Sequence, residues 1–107
     1  MNNVARMEIP NRMRSVNVRM SIDDMPIVAT MDYLINDNGI LPVAVWVKTK
    51  KSESTLDREL RSSGKAVSLL LQYGCSLKEI SETFTRDSII GSVVWYLFKN
   101  TEDILQG

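Results

Sequence analysis

Ser54–Leu97 reads STLDRELRSSGKAVSLLLQYGCSLKEISETFTRDSIIGSVVWYL, and its order of small, apolar and charged residues predicts three consecutive helices. Ser54 is a natural N-cap, with Asp57 in the first turn, where the helix dipole favours a carboxylate. Leu56, Leu60, Val67 and Leu71 fall on one helical stripe. Ala66, Leu69, Leu70 and Tyr73 broaden that stripe toward its end. This predicts a central helix, packed on a sheet and on another helix. Gly64 costs about 1 kcal/mol against Ala in a helix interior. With Ser62, Ser63 and Ser68 around it, it predicts close approach of a neighbouring backbone.

Gly74 follows as a left-handed stop. Ser76-Leu77-Lys78-Glu79 matches the capping box S-x-x-E, and Leu77, Ile80 and Phe84 give the second helix its buried stripe. Thr85-Arg86-Asp87-Ser88 reads as a turn, with Asp87 or Ser88 capping the next helix. Ile89, Ile90, Val93, Val94, Leu97 and Phe98 recur at helical spacing, which favours a third helix even in a run rich in β-branched residues. Asn100–Gly107 reads as a frayed tail.

Upstream the period changes to two. Val16, Val18, Met20 and Ile22 alternate with Asn17, Arg19, Ser21 and Asp23, as on a half-buried strand. Asp23-Asp24-Met25-Pro26 is a turn. Ile27, Ala29, Met31, Tyr33 and Ile35 make a second strand. Asn36-Asp37-Asn38-Gly39 comes after it, and its Asn-Gly pair suits positive φ at both central positions of a hairpin. Leu41, Val43, Val45 and Val47 make a third strand, so the three should form an antiparallel meander. The third strand also carries Ile40, Ala44 and Trp46, which makes it apolar on both faces. Pro42 cannot donate to a ladder and places this strand at an edge. Either the N-terminal arm or a helix covers Trp46, or a second copy of the chain does.

The chain has 107 residues, enough for one domain with its own core, and residues 1–13 read as an N-terminal arm or short helix. With 44% hydrophobic and 24% charged residues the composition is that of an ordinary globular protein. Formal net charge is zero, so bulk electrostatics favour no partner class. The charge is nevertheless blocked. Met1–Arg19 is net basic, Met20–Ile40 carries carboxylates alone, and Leu41–Lys65 is net basic again. There is no histidine, which excludes imidazole triads, ligands and general acid–base work. Cys75 is the single cysteine, which excludes an intramolecular disulfide and fits a reduced, cytoplasmic setting. The longest nearly apolar run, Ile89–Phe98, is far short of the roughly 20 residues of a membrane span.

No Walker loop, G-x-G-x-x-G, C-x-x-C or H-E-x-x-H occurs. The pairs Asp23-Asp24 and Glu102-Asp103 fall in turns or tails, where solvated carboxylates are the rule. No catalytic, cofactor-binding or metal-ligating residue is assigned, and no cofactor is implied. Lys48, Lys50, Lys51, Arg58 and Arg61 form the best candidate binding surface. They lie on the linker and the first turns of the following helix, and would suit a phosphate or a partner. Trp46 is the candidate for self-association.

The segment STLDRELR…KAVSLLLQYGCSLKEI, followed by TRDSIIGSVV, resembles the TSCPD domain. That module occurs at the C-terminus of adenosylcobalamin-dependent ribonucleotide reductases and as short standalone bacterial and viral proteins. The likeness covers about the last 45 residues, and Gly39–Val47 matches the family's preceding strand loosely. The Thr-Ser-Cys-Pro-Asp motif that names the family is absent, as is the glycine pair of its linker, replaced here by Lys50-Lys51-Ser52-Glu53-Ser54. A disulfide relay needs two thiols, and this chain has one.

The expectation is an α+β fold, a three-stranded antiparallel meander followed by three helices packed on one face. The resemblance implies a non-catalytic accessory or protein-interaction domain linked to ribonucleotide reduction. The residues alone also allow a nucleotide or nucleic-acid binding protein using the basic linker 48–61. A homodimer, a protein partner such as a ribonucleotide reductase, and no membrane association complete the expectation.

Overall fold

The computed structural model describes residues 5–10, 12–50, 54–85 and 87–106. The architecture is α+β. Strands β1 (Arg14–Ile22), β2 (Met25–Asn36) and β3 (Gly39–Thr49) form an antiparallel sheet in the order β1-β2-β3. Helices α1 (Thr55–Gln72), α2 (Leu77–Thr83) and α3 (Ile89–Gln106) come after the sheet. The core lies between the helices and one sheet face. Val18, Ile27, Ala29, Met31, Val45 and Val47 meet Leu60, Val67, Leu71, Leu77, Ile80, Val93, Val94 and Leu97 there.

The first hairpin is tighter than expected. Ile22 pairs with Met25, leaving only Asp23 and Asp24 in the loop, at φ 52° and 63°. Two left-handed residues in a two-residue loop match the right-handed twist of the strands, so β2 begins at Met25 rather than Ile27. In the second hairpin Asn36 pairs with Gly39, so Asp37 and Asn38 occupy the central positions. Neither has positive φ, and Gly39 alone carries it, at 113°. The expected Asn-Gly pair therefore sits one position later. The Asn36 side chain accepts the Asn38 amide at 2.9 Å and closes the turn locally.

A bulge in β3 corrects the reading of its two faces. Asp32 pairs with Ala44 but Tyr33 with Pro42, so Val43 is an extra residue. Past it the alternation reverses. Ile40 lies opposite Ile35 on the helix side of the sheet, and Leu41 replaces it on the second face with Ala44 and Trp46.

The helix boundaries follow their caps. Ser54 Oγ accepts the Asp57 amide. At the other end of α1, Cys75 N donates to Leu70 O and Gly74 N to Leu71 O, both at 3.0 Å, a Schellman motif with Gly74 at φ 101°. Ser76 and Glu79 form the reciprocal capping box. Ser88, not Asp87, caps α3, with its Oγ accepting from Gly91 N at 3.1 Å. A side chain at Gly91 would meet Thr85 O, Ser88 Oγ and Phe84 Cβ, so the turn closes only over glycine. From Asn100 to Gln106 the expected frayed tail is instead the last turns of α3, where Ile104 and Leu105 pack against the core; Gly107 lies outside the described residues. No described helix is long and apolar enough to cross a membrane.

Two candidate contact surfaces

One stripe of α1 is polar, and it faces the outer edge of β3. Asp57 Oδ1 accepts from Thr49 N at 3.1 Å and Thr49 Oγ1 at 3.3 Å. Ser68 Oγ accepts from Val45 N at 2.9 Å, and its proton goes to Val45 O or Gly64 O. Gln72 Nε2 donates to Val43 O in the bulge at 3.2 Å. These residues recur along one face of the helix, and their backbone partners are alternate residues of one strand. They are side-chain substitutes for the fourth strand that β3 lacks. Gly64 lies between them because a Cβ there would sit 3.0 Å from Val45 O. The close approach expected at Gly64 is therefore to β3.

Asp57, Ser68 and Gln72 are all buried. A buried carboxylate is costly unless paired. Asp57 meets that condition with Thr49 and with Arg61, whose Nε lies 3.3 Å from Oδ2. Asp57 is thus a buried link between strand and helix as well as a first-turn carboxylate. The N-terminal segment docks on the same stripe, with Arg6 Nε donating to Gln72 Oε1 at 2.6 Å and Met7 N to Gln72 O at 2.8 Å. The segment therefore runs along the end of α1.

The first candidate surface is the outward side of α1. With its polar stripe at β3 and Leu60, Val67 and Leu71 in the core, the helix turns Ala66, Leu69, Leu70 and Tyr73 to solvent. Leu69 and Tyr73 are each 44% exposed and Leu70 37%. The expectation that these residues would be buried between α1 and another helix is overturned. Their spacing i, i+3, i+4, i+7 makes one continuous apolar strip.

The second candidate surface is the sheet face that bears no helix. Cross-strand rows place Ser15, Asp32 and Ala44 together, then Asn17, Thr30 and Trp46, then Arg19, Val28 and Lys48. Trp46 is 43% exposed, so among the described residues neither the arm nor a helix buries it. Its Nε1 donates to Asp32 Oδ2 at 3.0 Å, and Ser15 Oγ donates to the other carboxylate oxygen. Thr30 Oγ1 donates to Asn17 Oδ1 at 2.6 Å. The indole edge is thus tied to Asp32, which Ser15 also holds.

The described members of the expected basic cluster lie on different elements. Lys48 belongs to this open sheet face, and Lys50 is exposed just beyond β3. Arg58 is exposed on α1, while Arg61 pairs with Asp57. Lys51 lies outside the described residues. Arg19, which is absent from the cluster expected from sequence, shares a cross-strand row with Lys48. Period-two alternation on β1 and β3 was the signal for that.

Cys75 is half-buried in the turn between α1 and α2. It borders a cleft of about 850 Å³ among the β2–β3 hairpin, this turn and α3. The cleft's rim carries Lys78 and Lys99 but also Glu102 and Asp103, a balance that selects no ligand charge.

No family model, no curated protein and no solved structure matches the chain.

Proposed function

We propose that this chain is a non-catalytic protein-interaction domain that docks through the outward strip of α1, as an accessory component linked to ribonucleotide reduction. The observation that carries the reading is the exposed row Ala66, Leu69, Leu70 and Tyr73 on a helix already satisfied on its other sides. A contiguous apolar patch on a soluble surface marks a contact site. Anchors at i, i+3, i+4 and i+7 are how a helix enters a partner's groove. The resemblance to the TSCPD domain spans the same helix. Within the matching segment, Asp57, Ser68 and Gln72 tie α1 to β3 and Gly74 ends the helix. That supports an accessory role over a catalytic one.

The test is calorimetric titration against a purified adenosylcobalamin-dependent ribonucleotide reductase lacking its own C-terminal domain. A stoichiometric complex is expected, weakened about tenfold or more by Leu69→Asp or Tyr73→Asp. Absence of a complex at micromolar concentration would break the link to the reductase. A wild-type dimer in light scattering that Leu69→Asp dissociates would place a second copy on the strip instead.

A further inference from the structure

We propose that the helix-free sheet face is a separate binding site for single-stranded nucleic acid, with one base stacked on Trp46 and the flanking phosphates met by Arg19 and Lys48. Trp46 lies on the edge strand of the face, at the end of the cross-strand row Asn17-Thr30-Trp46. Its indole N–H is already bonded to Asp32, so the ring has a fixed orientation and its exposed surface is left for a planar ligand. A base needs such a platform, because every base has a π-face and stacking is tolerant of sequence. The phosphates need cations beside it. Lys48 is two residues from Trp46 on the same side of β3, about 7 Å along the strand. Arg19 lies across the sheet in the row of Lys48, two strands or about 10 Å away. Both are exposed, and no ion pair engages either among the described residues. The one carboxylate on the platform, Asp32, already accepts from Ser15 and Trp46.

A second copy of the chain fits this face less well. Its cross-strand rows hold Ser15, Asn17, Arg19, Thr30, Asp32 and Lys48, a polar set that a dimer would have to desolvate. Three strands about 4.8 Å apart, paired over roughly 30 Å, present about 400 Å², half of what each partner buries in a standard interface. A duplex fits no better, because its bases are stacked on one another and offer the ring no face.

The site is independent of the α1 strip, and the test separates them. A fluorescein-labelled oligothymidylate of about 15 nucleotides is titrated with the Trp95→Phe protein, so that tryptophan emission reports Trp46 alone. Anisotropy should rise while the emission is quenched. Affinity should fall with salt at a slope near −1.4 for two phosphate contacts, dropping by about 0.7 in Lys48→Ala. In a separate variant, Trp46→Ala should weaken binding about 5- to 100-fold. If Trp46→Ala lowers the folded fraction by circular dichroism, Lys48→Glu, which alters only an exposed side chain, carries the test through loss of binding. Leu69→Asp should leave oligonucleotide binding unchanged. No anisotropy change up to about 100 μM at low salt would overturn the proposal. So would affinity indifferent to Trp46→Ala, or a duplex bound as tightly as the single strand. A dimer in light scattering that Trp46→Glu dissociates would give the face to a second copy and overturn it as well.

Discussion

Ser68→Ala is the sharpest test of how the edge of β3 is closed. The substitution removes one oxygen and nothing else. That oxygen accepts the Val45 amide at 2.9 Å and donates to Val45 O or Gly64 O. Ser68 is 5% exposed, so water cannot take its place without moving the helix. Gly64 O keeps its ordinary helical role, but Val45 N–H is left buried without a partner, at a cost of about 1–3 kcal/mol. Alanine recovers up to about 0.5 kcal/mol through its higher helix propensity. The net expectation is a loss of about 0.5–2.5 kcal/mol. For a domain of this size that lowers Tm by roughly 2–15 °C. Urea denaturation should show a lower midpoint with an unchanged slope, since the surface exposed on unfolding is the same. Amide exchange at Val45 should accelerate more than at Met31, its partner inside the sheet. Ser62→Ala, at an exposed position of the same helix, should be neutral or slightly stabilising. If Ser68→Ala matched that control in both stability and exchange, the stripe would not be holding the edge.

Local geometry sets three further outcomes. Replacing Asp23-Asp24 by Asn-Gly should stabilise the protein by about 0.5–1 kcal/mol, because both residues are left-handed and Asn and Gly tolerate that region better; a lower urea midpoint would contradict it. Gly64→Val should destabilise by about 1–3 kcal/mol, since the first added carbon already lies 3.0 Å from a backbone oxygen that Ser68 holds in place; a thermal melt equal to wild type would contradict it. The Glu79 carboxyl lies below its ordinary value of 4.5 because the Ser76 backbone N–H and then the Ser76 hydroxyl bond to its ionised form. A depressed pKa contributes stability that is present above 4.5 and lost as pH falls through the folded value. The stability gap between wild type and Glu79→Gln should therefore close on acidification, and a gap that widened would mean that the capping box does not favour the ionised carboxylate.

Much of the fold is legible in the residues. The period-two runs, the Ser76 capping box and the Gly74 stop report chemistry that is local in sequence, and each has its expected element. The bulge at Val43 is not legible. Its residue is one more apolar side chain in an apolar strand, and only its pairing with β2 distinguishes it. The tail at Asn100–Gly107 misleads for a related reason, since Ile104 and Leu105 are held by core contacts that no local signal announces. For α1, composition pointed to the wrong residues. Asp57, Ser68 and Gln72 look like solvated positions and are buried, whereas Leu69, Leu70 and Tyr73 look like core and are exposed. Their helical spacing, at i, i+11 and i+15 with Gly64 between, placed the three polar residues on one line. What that line faces is tertiary information.

The two surfaces share one cause. An edge strand with free N–H and C=O groups invites pairing with other chains. β3 is closed by turning a polar stripe of α1 toward it. A helix advances 100° per residue, so a stripe through residues 57, 64, 68 and 72 at the edge, with Leu60, Val67 and Leu71 in the core, leaves residues 66, 69, 70 and 73 only the outward direction. The exposed apolar strip is therefore a consequence of closing the edge. The same placement sets α1 beside β3, so among the described residues no helix packs on the second sheet face and Trp46 stays accessible. A mutation that loosens the stripe should then disturb both surfaces together, while one on either surface should leave the other intact.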